Sequence, residues 1–142
     1  MEGIEFREDI PPVEAIQELR RCMGWHRRDD EATARALRAS LYHVTAWRGL
    51  QAVGCARVVG DGATVFYIQD VIVRPECQGQ GIGAALMERV MAYIAGAACE
   101  NAVVGLMAAE GKEGFYQRYG FQARPAAGQG AGMTQFWKKN SQ

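Results

Sequence analysis

The chain has 142 residues, with 16 basic and 16 acidic side chains and a formal net charge of zero. This length suits one domain, so we expect a single domain over residues 1–142. A zero net charge argues against a general nucleic-acid-binding or membrane-surface protein. No apolar run is long enough to cross a bilayer, and the first residues do not resemble a signal peptide. We therefore expect a cytoplasmic protein with no nucleic-acid or membrane partner.

The four cysteines are scattered along the chain at Cys22, Cys55, Cys77 and Cys99. They form no C-x-x-C pair and have no nearby histidine cluster, so we expect free thiols and no metal site. Cys55 and Cys99 fall in apolar segments, which predicts that both are small core residues. Cys77 falls in a turn, where a thiol can be exposed.

Turn residues and hydrophobic spacing predict two helices and three strands in the first half of the chain. A one-sided apolar stripe marks the first helix, and an aspartate can cap the second, whose inward residues should be Ala32, Ala36 and Leu37. Gly49-Leu50-Gln51 should close a hairpin between the second and third strands. In chain order the elements are a strand at Ile4 to Arg7, a helix at Val13 to Met23, a helix from Asp29 or Asp30 to Ala39, and strands at Leu41 to Arg48 and Ala52 to Val59.

The second half is predicted to contain one long strand, two helices and three further strands. The long helix should stop at Gly96, and Gly120 should end the short one. The order β-αα-βββ-α-β-α-ββ predicts an α/β (α+β) fold with a mixed sheet. The elements are a strand at Thr64 to Val73, a helix at Gly83 to Ala95, a buried strand at Ala102 to Met107, a helix at Lys112 to Tyr119, and a final strand pair at Phe121 to Arg124 and Met133 to Lys138.

A glycine-rich turn, Gln78-Gly79-Gln80-Gly81-Ile82-Gly83, joins the long strand to the long helix. A glycine turn at a helix N-terminus offers unpaired backbone N–H groups to an anion such as pyrophosphate. A purely structural strand-to-helix turn needs only one glycine, so three glycines favour the anion site. The dinucleotide fingerprint fits poorly, because Ala84 replaces its third glycine and no acidic residue ends the next strand. The P-loop pattern fails because no Gly-Lys-Ser or Gly-Lys-Thr follows.

This turn resembles the acetyl-CoA signature Gln/Arg-x-x-Gly-x-Gly/Ala of the GNAT N-acetyltransferase superfamily. Gln78, Gly81 and Gly83 fill its three fixed positions, and Val73-Arg74-Pro75 is similar to the approach to it. Downstream, residues 115–121 resemble the Phe-Tyr-x-x-x-Gly-Phe segment of that family. The resemblance extends over residues 3–138. It implies one GNAT-like domain in which the fourth and fifth strands splay apart to admit the cofactor.

The resemblance also implies an activity. Members transfer an acetyl group from acetyl-CoA directly to a primary amine in a ternary complex, without a metal, so acetyl-CoA is the expected cosubstrate. The partner would be a small-molecule or peptide amine, and a homodimer is possible. A non-catalytic acyl-CoA sensor or regulatory module is the alternative. The residues implied to bind the cofactor are Val71, Ile72, Val73, Gln78, Gly79, Gln80, Gly81, Ile82, Gly83 and Ala84.

Tyr116 occupies the position that in many members of the family points at the cofactor sulfur. A phenol with a pKa near ~10 can protonate a departing thiolate. The alternative is a core aromatic residue beside Phe115, and Tyr119 is interpreted as packing. An Asn is common six residues before the Phe-Tyr pair in this family, and here that position is Ala109.

The proton acceptor for the amine stays open. Asp70, on the strand just before Val71, is the first candidate, and Gln69 and Asp70 should point to opposite faces. The other candidates are Glu110, His26, His43 and a water chain. By resemblance, the turn at residues 25–30 between the first two helices lines the acceptor site. The alternative is a solvated charged loop anchored by Trp25.

Overall fold

The computed structural model describes residues 1–139. The chain forms two compact units, residues 1–106 and residues 107–142. The first unit carries a five-stranded mixed sheet with helices, so the predicted mixed α/β class is confirmed. Its elements are β1 Ile4–Arg7, α1 Val13–Cys22, α2 Asp30–Ala39, β2 Tyr42–Arg48, β3 Gln51–Gly60, β4 Val65–Val73, a 3₁₀ turn Pro75–Cys77, α3 Ile82–Ala97 and β5 Val103–Gly105. The prediction of one domain over residues 1–142 stays a prediction.

The strands lie in the order β1-β2-β3-β4-β5. The first three pairings are antiparallel, and β2 and β3 form the predicted hairpin about Gly49 and Leu50. β4 and β5 are parallel because α3 connects them as a crossover. The sheet is therefore an antiparallel meander with one parallel strand added at its edge.

Helices cover both faces of this sheet. On one face, Ile16 and Leu19 of α1 and Leu37 of α2 pack in one buried cluster with Cys55 and Ile72 of the sheet. On the other face, the ring of Phe66 in β4 lies 6.3 Å from the ring of Tyr93 in α3. We call these the α1 face and the α3 face. The apolar stripe of α3 buries Ile82, Leu86, Val90 and Ile94.

A β-bulge interrupts β4. Cys55 pairs with Ile72 and Arg57 with Gln69, so Asp70 and Val71 stand opposite the single residue Ala56. Asp70 adopts a φ of +55°, a conformation that a non-glycine residue seldom takes. The extra residue changes the face on which the alternating side chains lie. Phe66 before the bulge therefore lies on the α3 face, whereas Ile72 after it lies on the α1 face.

In the second unit, helix α4 runs over Glu113–Gln117. The helix ends at Gln117, two residues before the predicted end at Tyr119, and Gly120 lies in the following turn with a φ of +90°. The predicted final strand pair at Phe121 to Arg124 and Met133 to Lys138 is wrong, because neither segment is a strand in the structure. Only an isolated bridge joins Ala126 to Gln129. Between the two segments, Pro125 and the glycines at 128, 130 and 132 provide little of the continuous backbone pairing that a strand ladder requires.

Three other local expectations for the first unit are wrong. α3 continues through Gly96 to Ala97, because the apolar stripe still packs Ile94 in that turn. β5 is three residues long, and Val103 is 62% exposed because this edge strand has a neighbour on one side only. In α2, Leu37 is buried as predicted and Ala36 is half-buried, but Ala32 is exposed and Thr33 is buried instead.

Two cysteine predictions are also wrong. Cys99 is exposed rather than in the core, because it lies in the connection between α3 and β5. Cys77 is only 3% exposed, because the 3₁₀ turn places it inward. Cys55 is buried as predicted.

Candidate functional site

The turn between β4 and α3 has the backbone conformation that its glycines predict. Gly79 and Gly81 have φ values of +82° and +88°, a region that L side chains avoid. A Cβ atom added at either position would meet no heavy atom within 4 Å. The glycines therefore leave open space above the backbone of the turn, which is what a phosphate group needs to approach it.

The N-terminus of α3 lies directly after this turn. The amide of Ala85 donates to the carbonyl of Gly81 at 3.0 Å, as the first bond of the helix. The amides of residues 81–84 precede that bond and have no intrahelical acceptor. The first turn of α3 has no acidic side chain, whereas α2 has Asp30 and Glu31 at the same place. The positive end of the helix dipole is thus uncompensated, so the site is suited to an anionic group such as a pyrophosphate.

The turn is held to the sheet by side chains on either side of it. Gln78 donates from Nε2 to the carbonyl of Val73 at 3.1 Å. The buried Arg74 donates from Nε to the carbonyl of Ala52 at 2.7 Å and forms an ion pair with Glu18 of α1. The hydrogen bond from Arg74 lowers the pKa of Glu18. This role of Arg74 was not predicted from the sequence. The one local sign of it is the position of an arginine between an apolar strand and a proline.

Arg48, at the end of β2, reaches the turn from the β2–β3 hairpin. Its guanidinium donates to Sγ of Cys77 at 3.6 Å and to Oε1 of Gln80 at 3.4 Å. Both glutamines of the turn are neutral, so Arg48 supplies a positive charge beside it. Sequence reasoning missed Arg48, because a hairpin residue gives no local sign of which distant turn it meets.

The edge of β4 that faces away from β3 is open over its second half. The parallel pairing with β5 covers only Val65 to Tyr67. In the described part of the chain, no strand pairs with Val71, Ile72 or Val73 on this edge. The side chain of Ile72 is buried in the cluster on the α1 face, so this segment offers an extended ligand its backbone groups. A free strand edge is a template for an added extended chain.

Asp70 is held by two arginines. Its Oδ1 accepts a hydrogen bond of 2.8 Å from Arg20, and its Oδ2 accepts one of 3.1 Å from Arg57. The expectation that Gln69 and Asp70 point to opposite faces is wrong, because Gln69 pairs with Arg57 and the bulge brings Asp70 to the same arginine. Asp70 as general base stays a prediction, and its geometry is that of a buried ion-paired carboxylate.

The other proton-acceptor candidates are two histidines of the first unit and one glutamate of the second. His43 is buried, with Nε2 2.6 Å from the carbonyl of Leu37, and burial lowers its pKa. His26 is exposed in the turn between α1 and α2. Glu110 is exposed and belongs to the second unit. Within the first unit, His43 and Asp70 line the same small pocket.

Tyr116 lies on α4 in the second unit. Its ring packs edge-on against Phe115 at 5.0 Å and against Phe121 at 6.4 Å. Burial raises the pKa of the Tyr116 phenol, so the hydroxyl keeps its proton at neutral pH. A proton donor needs this state. Of the predicted site residues, Asp70, Val71 to Val73 and Gln78 to Ala84 belong to the first unit, and only Tyr116 belongs to the second.

Two features are absent from residues 1–139. No helix there is long and apolar enough to cross a membrane. No group of three or more histidine, cysteine, aspartate or glutamate side chains in that range could hold a metal ion.

Comparison with known proteins identifies the family. The acetyltransferase (GNAT) domain model matches residues 38–123. Serotonin N-acetyltransferase 2, chloroplastic, of Oryza sativa subsp. japonica is 36% identical over 119 residues, which are 81% of this chain and 58% of that relative. The chain thus spans little more than half the length of this curated relative.

Two solved structures match over nearly their whole length. SA2161 of Staphylococcus aureus has a TM-score of 0.87 and 32% identity, covering 94% of this chain and 99% of that one. A GNAT-family acetyltransferase of Streptococcus pneumoniae has a TM-score of 0.76 and 30% identity, covering 96% and 99%. With the glycine turn in place, these matches confirm the predicted resemblance. The chain belongs to the GNAT acetyltransferase family.

Proposed function

We propose that this protein is an acetyl-CoA-dependent N-acetyltransferase that moves an acetyl group directly to a primary amine in a ternary complex. One observation carries the proposal. The glycine turn opens the N-terminus of α3 to an anion, and the open edge of β4 lies immediately before that turn. An elongated ligand with a pyrophosphate at one end and an amide-bearing arm at the other matches this arrangement.

The backbone of the first unit would bind the cosubstrate. The amides of Gln78 to Ala84 would hold the pyrophosphate, and the backbone of Val71 to Val73 would pair with the pantetheine arm. Acetyl-CoA supplies the acetyl group as a thioester. One amide of Val71 to Val73 would donate to the acetyl carbonyl oxygen, where negative charge develops during the reaction. No metal is needed for these roles.

Tyr116 would supply the proton that the departing thiolate takes up, and would regain a proton from solvent after each turnover. Its hydroxyl would donate to the departing thiolate as the new carbon–nitrogen bond replaces the carbon–sulfur bond. The amine must lose a proton in the same reaction, and two acceptors compete for it, Asp70 and water. Because two guanidinium groups bind the oxygens of Asp70, we favour water. The Tyr116 hydroxyl supports an enzyme over the alternative of a non-catalytic acyl-CoA sensor.

The acceptor, the cytoplasmic location and a homodimer remain predictions. The name of the rice relative gives serotonin as its amine, and serotonin therefore belongs in the first acceptor panel. Small amines, amino acids and peptide N-termini complete that panel.

Two measurements test the proposal. In thermal-shift experiments, CoA and acetyl-CoA at millimolar concentration should both raise the melting temperature, because the phosphate and pantetheine contacts are common to them. NAD should not. In a free-thiol assay, acetyl-CoA should release CoA with at least one amine of the panel. A rise in melting temperature with NAD, but not with CoA or acetyl-CoA, would show that the site does not bind acyl-CoA. Binding of acetyl-CoA without turnover of any amine would favour the non-catalytic acyl-CoA sensor.

A further inference from the structure

A cavity of about 180 Å³ lies between the helices of the α1 face and the sheet. It is within the first unit and apart from the glycine turn. Its walls come from α1, the turn before α2, α2 itself, β3 and β4, through the side chains of Arg20, Arg28, Thr33, Leu37, Arg57 and Asp70. The cavity has room for a group of a few heavy atoms.

The cavity has a surplus of positive charge. Three arginines line it, and Asp70 is its one carboxylate. Both oxygens of Asp70 are already bound, one by Arg20 at 2.8 Å and the other by Arg57 at 3.1 Å. Arg20 and Arg57 therefore share one carboxylate, and Arg28 at the exposed mouth adds a further positive charge, so positive charge exceeds negative charge around the cavity.

A buried donor in the cavity wall also lacks an acceptor. Arg20 is 6% exposed, and its terminal nitrogens donate to Asp70 and to the carbonyl of His26. Its Nε is buried and has no hydrogen-bond partner among the described residues. An unsatisfied buried donor is unfavourable, because it has lost its hydrogen bonds to water without gaining another.

Arg28 lies at the exposed mouth of the cavity, in the turn before α2. Its backbone is fixed to Gln17, whose amide bonds both the N–H and the carbonyl of Arg28. No carboxylate among residues 1–139 forms an ion pair with its guanidinium. Burial and the charges of Arg20 and Arg57 lower the pKa of Arg28. An anion between these arginines would remove that repulsion.

We propose that this cavity binds an anionic group, a carboxylate or a phosphate, of the amine acceptor. The inference rests on the proposed function and gives its substrate class, a compact amine that also carries an acid. Arginine forks bind planar and tetrahedral oxyanions with paired N–H donors. Asp70 in the cavity wall immediately precedes Val71, and one strand residue spans about 3.3 Å. An acceptor anchored here would therefore extend its amine toward the β4 edge assigned to the acetyl group.

A binding experiment tests the cavity without any turnover. N-Acetylglycine and N-acetylglycinamide differ only in the carboxylate, and each is titrated while the Arg20 Nε–H resonance is followed by ¹⁵N NMR. The acid should shift this resonance saturably, and the amide should not. Arg28→Gln should weaken the binding of the acid at least tenfold. Arg35→Gln, on the exposed side of α2, is the matched control and should leave it unchanged. Equal shifts with acid and amide, or none with either, would overturn the proposal.

A turnover experiment then separates the two anions. Glycine is compared with glycinamide, and phosphoethanolamine with ethanolamine, in the free-thiol assay. For at least one of the two pairs, kcat/KM for the amine that carries an acid should exceed that for the neutral amine tenfold or more. The difference should lie in a lower KM. Arg28→Gln should reduce that ratio, and Arg28→Lys should restore part of it. Neutral amines acetylated as well as acids, or serotonin preferred to every acid, would refute the anionic acceptor while leaving the N-acetyltransferase intact. No turnover of any amine would count against the proposed function, and the NMR titration would still decide whether the cavity binds an anion.

Discussion

Arg20 on α1 donates a hydrogen bond of 2.8 Å to Asp70 on β4, although the two residues lie 50 positions apart in the sequence. The ion pair joins the helix that covers the α1 face to the strand beside the proposed acetyl site. Arg57 binds the second oxygen of the same carboxylate. Asp70 is thus the point at which a helix, a strand and the β4 bulge are held together.

Asp70→Asn should destabilise the protein by roughly 3–5 kcal/mol, because it leaves two buried guanidinium groups without their carboxylate. Urea unfolding measures this loss. The effect on kcat discriminates between the two proposed proton acceptors. If Asp70 is the general base, the folded variant should also lose most of its kcat. A large loss of stability with kcat within tenfold of wild type supports water.

Gly81→Asp should weaken the binding of CoA at least about a hundredfold, or about 2.7 kcal/mol, because the new carboxylate would face the pyrophosphate. Gly81→Asn is the matched control, since Asn has the same shape and meets the same left-handed backbone at φ +88° without the charge. Isothermal titration calorimetry should rank wild type above Asn and Asn above Asp. Equal affinities of the Asn and Asp variants for CoA would show that a negative charge at position 81 does not weaken binding. The turn would then not be an anion site.

Tyr116→Phe should lower kcat by about 10²–10⁴-fold with little change in acetyl-CoA affinity, because only the proton-donating hydroxyl is lost. The ring contacts with Phe115 and Phe121 remain, so the variant should fold. Tyr119→Phe is the control on the same segment. Since burial raises the pKa of Tyr116, kcat should not fall through its ionisation below about pH 10. Turnover of Tyr116→Phe within about twofold of wild type would make it a packing residue.

Gly54→Ala and Gly96→Ala should have opposite effects on stability. A Cβ on Gly54 would lie 2.8 Å from the carbonyl oxygen of Ile72 and 3.3 Å from Leu86 of α3, so it should cost about 1–3 kcal/mol. A Cβ on Gly96 would meet nothing within 4 Å in a helix. There, alanine should add about 0.5–1 kcal/mol through its helix propensity. Urea unfolding of both variants checks the signs, and a stabilised Gly54→Ala would contradict the packing of α3 on β3.

His43 should make the protein less stable as the pH falls. Its folded-state pKa lies below that of the unfolded chain, near ~6.5, because burial disfavours the charged imidazole. Its contribution is therefore complete above about pH 6.5 and is lost as the pH decreases through that value, by at most about 1.4 kcal/mol per pH unit. The unfolding free energy of wild type should decline from pH 7.5 to 5, and that of His43→Gln should decline less steeply. His26→Gln, at the exposed histidine, should follow wild type.

Local signals account for what the sequence predicted correctly. β1 has the predicted bounds, and Asp29 caps α2 by accepting from the amide of Ala32 at 2.9 Å, because strand alternation and helix capping involve neighbouring residues. The positive φ angles of the glycine turn follow in the same way from residue types. The cavity could not be predicted, because Arg20, Arg57 and Asp70 meet only after the sheet has formed. The three-residue length of β5 could not be predicted either, since it depends on the neighbouring strand.

The bulge at Asp70 divides β4 into two halves, and the pattern of alternating side chains shifts by one residue between them. Ile68 and Ile72 are four positions apart, and in a regular strand they would share a face. Here Ile68 continues the alternation from Phe66 on the α3 face, whereas Ile72 joins the core on the α1 face. A design or alignment that assumes uninterrupted alternation of side chains along β4 will place the side chains of its second half on the wrong face of the sheet. The single inserted residue thus lets one strand contribute apolar side chains to two separate cores in succession.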